Sequence, residues 1–226
     1  MKLAALVSGG KDSIYALYKA QQEHEVKVII AIKSENPDSY MFHRPNIDLV
    51  KLQANALDLP IIFKKTPGEK EKELEDLKKA IIEAKEKYKI DGLVSGALAS
   101  NYQKSRIERI CKEINLKSIT PIWHVNPREY MIDLLSKFKV ITVKVACDGL
   151  KKDSLGKEIN LEKIEKLSSK YRFHIAFEGG EAETLVLDAP NFNKKINILD
   201  SKTRWDKESQ SGEFIIKRAH LEIKKK

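Results

Sequence analysis

Short, near-continuous apolar runs at residues 3–7, 26–32, 61–63, 92–95 and 119–121 are separated by stretches whose apolar residues return every three or four positions. Unbroken runs of this length read as strands covered on both faces, and the intervening period is that of an amphipathic helix. Helical patterns fall at residues 13–22 and at 47–57, where Ile47, Val50, Ala54 and Leu57 share a side. Others fall at 69–88, through Leu74, Leu77, Ile81, Ala84 and Tyr88, and at about 102–114. Right-handed crossovers between such elements predict an α/β fold. It is a doubly wound, Rossmann-like parallel sheet of about five strands, with ligands outside the carboxyl ends of the strands.

After Trp123 the rhythm changes. A helix over residues 127–135 opens on a proline, which suits the first helical turn. A strand at 140–146, a charged helix at 161–171 and several later strands follow, the last a half-exposed run at 214–223 that partly alternates apolar and polar residues. The pattern predicts two domains, a doubly wound one over residues 1–123 and a smaller α+β one over 124–226.

The hexapeptide Ser8-Gly9-Gly10-Lys11-Asp12-Ser13 lies where the first strand gives way to the first helix. Paired glycines permit a tight turn and bring backbone N–H groups close to an anion, and the following helix adds unsatisfied donors and a positive dipole end. Lys11 adds a mobile point charge, and Ser8 and Ser13 add hydroxyls. The spacing is not that of a Walker A loop, G-x-x-x-x-G-K-[ST]. Ser34-Glu35-Asn36 and Ser95-Gly96-Ala97 fall at neighbouring strand ends.

Two further clusters carry candidate chemistry. Gly96 stands after a buried strand, and Tyr102 and Arg106 share a helix face at i, i+4. Gly96 would admit a nucleotide or substrate, and Arg106 would offer a planar fork to phosphate or carboxylate. The same residues read equally as a helix capped by Ser100 with Arg106 solvated. Glu178-Gly179-Gly180-Glu181-Ala182-Glu183-Thr184 sets three carboxylates around paired glycines. They repel one another unless a metal, a cationic substrate or an arginine is present. A solvated acidic turn before a strand is the other reading.

Charge and cysteine content narrow the classes. The chain of 226 residues holds 42 Lys and Arg against 33 Asp and Glu, a formal net charge of +9. That excess attracts polyanions such as ATP, yet it lies in mixed runs such as Glu69-Lys70-Glu71-Lys72-Glu73, which read as a solvated face rather than a nucleic-acid stripe. Cys111 and Cys147 form no C-x-x-C, so neither a disulfide framework nor sulfur chemistry is indicated. No stretch approaches the ~20 apolar residues that span a bilayer, and the first residues show no apolar run of signal-peptide form, so no membrane and a cytoplasmic location are expected. Self-association as a homo-oligomer is left open.

The hexapeptide resembles the PP-loop of the ATP pyrophosphatases, which split ATP between its α and β phosphates and yield AMP. In chain order, S-G-G-K-D-S, G-A-L-A-S-N-Y-Q-x-x-R-I-E-R-I-C, P-I-W and E-G-G-E-A-E-T-L-V-L-D-A-P are similar to the diphthine–ammonia ligase family over nearly the whole chain. Ser39-Tyr40-Met41-Phe42-His43 also resembles a stretch found there after the second strand. The resemblance implies the last step of diphthamide biosynthesis, amidation of the diphthine carboxylate on translation elongation factor two with ammonia and ATP. Its length suits the compact archaeal form. ATP and Mg²⁺ would be the cofactors, with Lys11, Asp12 and Arg106 catalytic and Asp12 on the metal. Ser8, Gly9, Gly10, Lys11, Asp12, Ser13, Ser34 and Gly96 would hold the nucleotide. Tyr102, Glu178, Gly179, Gly180, Glu181, Glu183 and Thr184 would meet the substrate, the carboxylates facing its quaternary ammonium. A PP-loop tRNA-modifying enzyme and a non-catalytic adenine-nucleotide-binding module are the alternatives.

Overall fold

A computed structural model of the chain describes residues 1–36, 45–69 and 72–224, so the resemblance at Ser39-Tyr40-Met41-Phe42-His43 lies outside the described residues. Strands β1 (Lys2–Leu6), β2 (Glu25–Ser34), β3 (Ile61–Thr66), β4 (Gly92–Val94) and β5 (Lys117–Ile119) form one parallel sheet in the order β3-β2-β1-β4-β5. Helices α1 (Lys11–Ala20) and α2 (Val50–Ala56) cover one face, and α3 (Lys72–Tyr88) and α4 (Asn101–Glu113) the other. Strand side chains alternate between the two faces. Leu3, Ala5, Ile29 and Ala31 pack with Ile14, Leu17, Val50 and Ala54. Ala4, Val28 and Ile30 pack with Leu77, Ile81, Ile107 and Ile110. The strand order reverses between β1 and β4, and such a reversal opens a crevice at the strands' carboxyl ends.

Three boundaries differ from the sequence pattern. The fifth strand lies at Lys117–Ile119 rather than 119–121, because Pro121 opens a turn closed by Trp123 N–H on the Thr120 carbonyl. β3 runs on through Lys64 and Lys65, which are exposed on an edge strand and therefore carry no apolar signal. α1 starts at Lys11, two residues earlier than its apolar pattern, with Gly10 as its N-cap. Lys11 is consequently a first-turn helix residue.

The second sheet contains β6 (Lys139–Val145), β7 (Ala182–Asp188), β8 (Lys194–Asp206) and β9 (Ser211–Ile223), antiparallel in the order β7-β6-β9-β8. Helices α5 (Pro127–Lys137) and α6 (Leu161–Tyr171) start on asparagine caps, Asn126 accepting from the N–H groups of Arg128 and Glu129 and Asn160 from that of Lys163. These bonds satisfy donors that a helix start leaves open. Tyr130, Met131 and Leu134 of α5 are buried in the same cluster as Ile14 and Leu17 of α1, together with Val140 of β6 and Val186 of β7. Burying a side chain such as Met131 or Leu134 contributes about 1.5–3 kcal/mol, so the second sheet is fastened to α1 by a shared core. No described helix is long and apolar enough to cross a membrane.

Candidate active site

The turn after β1 is built by its own side chains and by β7. Gly9 sits at φ +88°, a conformation that favours glycine, and its carbonyl accepts from Val186 N–H and from Gln53 Nε2, each at 3.0 Å. Ser13 Oγ donates to the Gly10 carbonyl at 3.0 Å, accepts from Ser8 N–H at 3.2 Å and lies 3.2 Å from Ser8 Oγ. Lys11 N–H donates to Thr184 Oγ1 at 3.1 Å. A Cβ on Gly96 would fall 2.7 Å from both the Asp12 carbonyl carbon and the Ser13 nitrogen. Only glycine lets the loop after β4 come this close to the start of α1.

Behind the turn lies a compact charged group. The Lys11 side chain, read from the sequence as mobile, is only 2% exposed. Its Nζ is 2.7 Å from Asp12 Oδ1 and lies near the rings of Tyr130, at 5.7 Å, and Phe177, at 5.9 Å. The Tyr130 hydroxyl donates to the same Asp12 oxygen at 2.7 Å, and its ring stands edge-on to Tyr15. Burial, then the Asp12 charge, pushes the Tyr130 phenol well above its usual range, so it stays a donor. Phe177 is held at φ +61°, a genuine outlier for a bulky residue, and introduces Glu178. Ala99 N–H donates to Glu178 Oε2 at 3.1 Å. Burial first, and the Asp12 charge second, lift the Glu178 carboxyl to about 7, with Lys11 opposing the rise.

That displacement sets the sign of a pH effect. Between the ordinary value of 4.5 and about 7 the folded protein holds a proton on Glu178 that the unfolded chain releases. Stability therefore falls as pH rises through that window. After discounting for partial exposure the loss is roughly 1–2 kcal/mol. Melting curves from pH 5 to 8 should show Glu178→Gln gaining on the wild type as pH rises, and a constant difference would contradict this placement.

The other sequence-derived residues are distributed unevenly. Glu181 turns back on its own loop, Oε1 accepting from His174 N–H and Oε2 from Gly179 N–H, each at 2.8 Å. Gly180 occupies a left-handed turn position, at φ +82°. Glu183 lies on β7 opposite Lys144 of β6. The three carboxylates thus do not converge, and among the described residues no group of three or more His, Cys, Asp or Glu could hold a metal. Ser34 closes the end of β2 by accepting from Asn36 N–H at 3.1 Å and donating to its carbonyl at 3.0 Å. Arg106 stacks on Tyr102, 3.4 Å from the ring centre, and donates to the Tyr102 carbonyl at 3.3 Å.

Tyr130, Phe177 and Gln53 escaped the sequence reading. Tyr130 and Gln53 carry only the signal of a buried helix face, and Phe177 precedes the acidic motif without altering its pattern. Asp12 bonds both Lys11 and Tyr130 through Oδ1, which leaves Oδ2 for another partner. One carboxylate beside bound phosphates is how proteins commonly hold Mg²⁺, so the donor set fits that ion.

A glycine turn at the reversal of a parallel sheet, followed by a buried lysine and an aspartate, defines a nucleotide-binding α/β protein of PP-loop type. Residues 1–118 match the diphthamide synthase N-terminal domain, and residues 126–221 match the diphthamide synthase C-terminal domain. The chain belongs to the diphthamide synthase family. It is 35% identical over 227 residues to a diphthine–ammonia ligase of Mus musculus, covering 89% of this chain and 84% of that protein. A protein of the same name from Homo sapiens is 34% identical over 229 residues, with the same coverage of each chain. A solved chain described as a predicted subunit of tRNA methyltransferase from Methanocaldococcus jannaschii has a TM-score of 0.43 and 16% identity, over 84% of this chain and 98% of that one. That likeness is too low to bear on the chemistry.

Proposed function

We propose that this protein is an ATP-dependent ligase that amidates the diphthine carboxylate of translation elongation factor two with ammonia, the last step of diphthamide formation. The observation that carries the reading is a convergence: the E-G-G-E-A-E-T-L-V segment reaches the nucleotide turn itself. Thr184 bonds Lys11 N–H, and Glu178 lies within electrostatic reach of Lys11 and Asp12.

A carboxylate does not react with ammonia at neutral pH, because the leaving group would be oxide. ATP removes that obstacle. The carboxylate oxygen attacks the α-phosphorus and expels pyrophosphate, and the ammonia lone pair then attacks the acyl carbon and expels AMP as the nitrogen gives up a proton to water. In this reading residues 8–13 cradle the pyrophosphate, with Ser34 and Gly96 bordering the nucleotide. Lys11 exchanges Asp12 for phosphate oxygens as charge builds there, an electrostatic contribution from a group already desolvated. Mg²⁺ would be held by Asp12 and would neutralise phosphate charge. Arg106, stacked on Tyr102, offers its fork to phosphate or carboxylate. Glu178 faces the quaternary ammonium, whose charge would draw its carboxyl back into the ionised form. The division of labour falls near residue 123, and the enzyme works in the cytoplasm beside its elongation factor.

Chromatography of the nucleotide products tests the scheme. AMP and pyrophosphate are expected, formed only when the modified factor is present, and ADP with orthophosphate would exclude it.

A further inference from the structure

Gln53 of α2 is fully buried, and its amide nitrogen makes two bonds, to the Gly9 carbonyl at 3.0 Å and to the Val186 carbonyl at 2.8 Å. Val186 N–H donates to the same Gly9 carbonyl at 3.0 Å. One amide group thus ties the glycine turn to β7. Its oxygen, Oε1, is buried and has no hydrogen-bond partner among the described residues.

An apolar side chain of the same shape would remove that orphan acceptor but would also strip the NH₂ donor from two buried carbonyls. The amide therefore bonds the fold together, and it also reaches the glycine turn. Its NH₂ group acts on the one carbonyl that matters most to an anion site. A turn that binds phosphate must present N–H groups and keep its carbonyl oxygens, which carry partial negative charge, pointed elsewhere. Gly9, at φ +88°, is free to rotate its peptide, and two donors on its oxygen restrain that rotation.

We infer that Gln53 is a positioning residue that, with Val186 of β7, holds the Gly9 carbonyl away from the bound pyrophosphate. The inference rests on reading residues 8–13 as a phosphate site. It gives α2 and the second sheet a part in nucleotide binding without contact to the nucleotide.

Gln53→Met, close in shape and lacking both polar ends, separates this role from a structural one. Thermal melting of the full chain should show the variant folded but with a lowered melting point, because the Val186 carbonyl loses its side-chain donor. Calorimetric titration with inorganic pyrophosphate and with ATP, each with Mg²⁺, should show binding weakened about three- to tenfold, the worth of one net hydrogen bond. Gln53→Leu should behave alike. A folded variant that binds both ligands as tightly as the wild type would overturn the inference. So would equal weakening in Leu77→Ala, a core truncation on the opposite face of the sheet, because the loss would then follow stability alone. A wild-type protein that binds neither ligand would instead remove the phosphate-site reading beneath it.

Discussion

Replacing Lys11 by alanine is expected to slow AMP formation by roughly a hundred- to a thousand-fold, the usual cost of removing one preorganised donor from a developing charge. The sequence alone suggests that this cation is exposed and costs the fold nothing to remove. At 2% exposure, packed beside Tyr130 and Phe177, its stem belongs to the core. Lys11→Ala should therefore also lower stability by about 1–3 kcal/mol, the range typical of a core truncation. Lys11→Met keeps the stem and loses only the charge, so its melting point should return toward wild type while its AMP rate stays low. A Lys11→Met protein that makes AMP within a few-fold of wild type would show that the lysine serves packing alone.

Neutralising Glu178 should have the second large effect, on the protein substrate. Truncating one partner of a buried charge pair costs about 2–5 kcal/mol, so Glu178→Gln should raise KM for diphthine-bearing elongation factor at least thirtyfold. ATP affinity, measured by titration without the factor, should stay nearly unchanged. Equal weakening of both would move Glu178 to the nucleotide side, sharing Asp12's role. Glu181→Gln makes the contrast clear, because its oxygens already accept from His174 and Gly179. Its loss should appear in melting curves more than in KM.

The sheet was legible because each strand writes its burial into the sequence. β1 and β2 are apolar on both faces, and the clusters that alternate across them are the ones the helical periods supply. Where burial ends, the signal ends too, which is why the exposed lysines of β3 escaped notice. The glycine turn was legible as a motif, since its residues are consecutive. Tyr130 and Gln53 were not, because a helix residue that bonds a group 118 or 44 positions away looks like any other core side chain. The acidic motif was readable as a cluster but not as a geometry. Three carboxylates within six residues suggested one site, whereas Glu178 bonds Ala99, Glu181 bonds its own loop and Glu183 lies on β7.

The central claim is that a nitrogen atom from ammonia ends on the diphthine carboxyl at the expense of ATP. Purified protein, ATP, Mg²⁺ and heavy-nitrogen ammonium are incubated with elongation factor two carrying diphthine, and the modified peptide is read by mass spectrometry. The account predicts one heavy nitrogen per converted residue, with one AMP released for each. An unchanged diphthine peptide, or conversion without AMP, would contradict it.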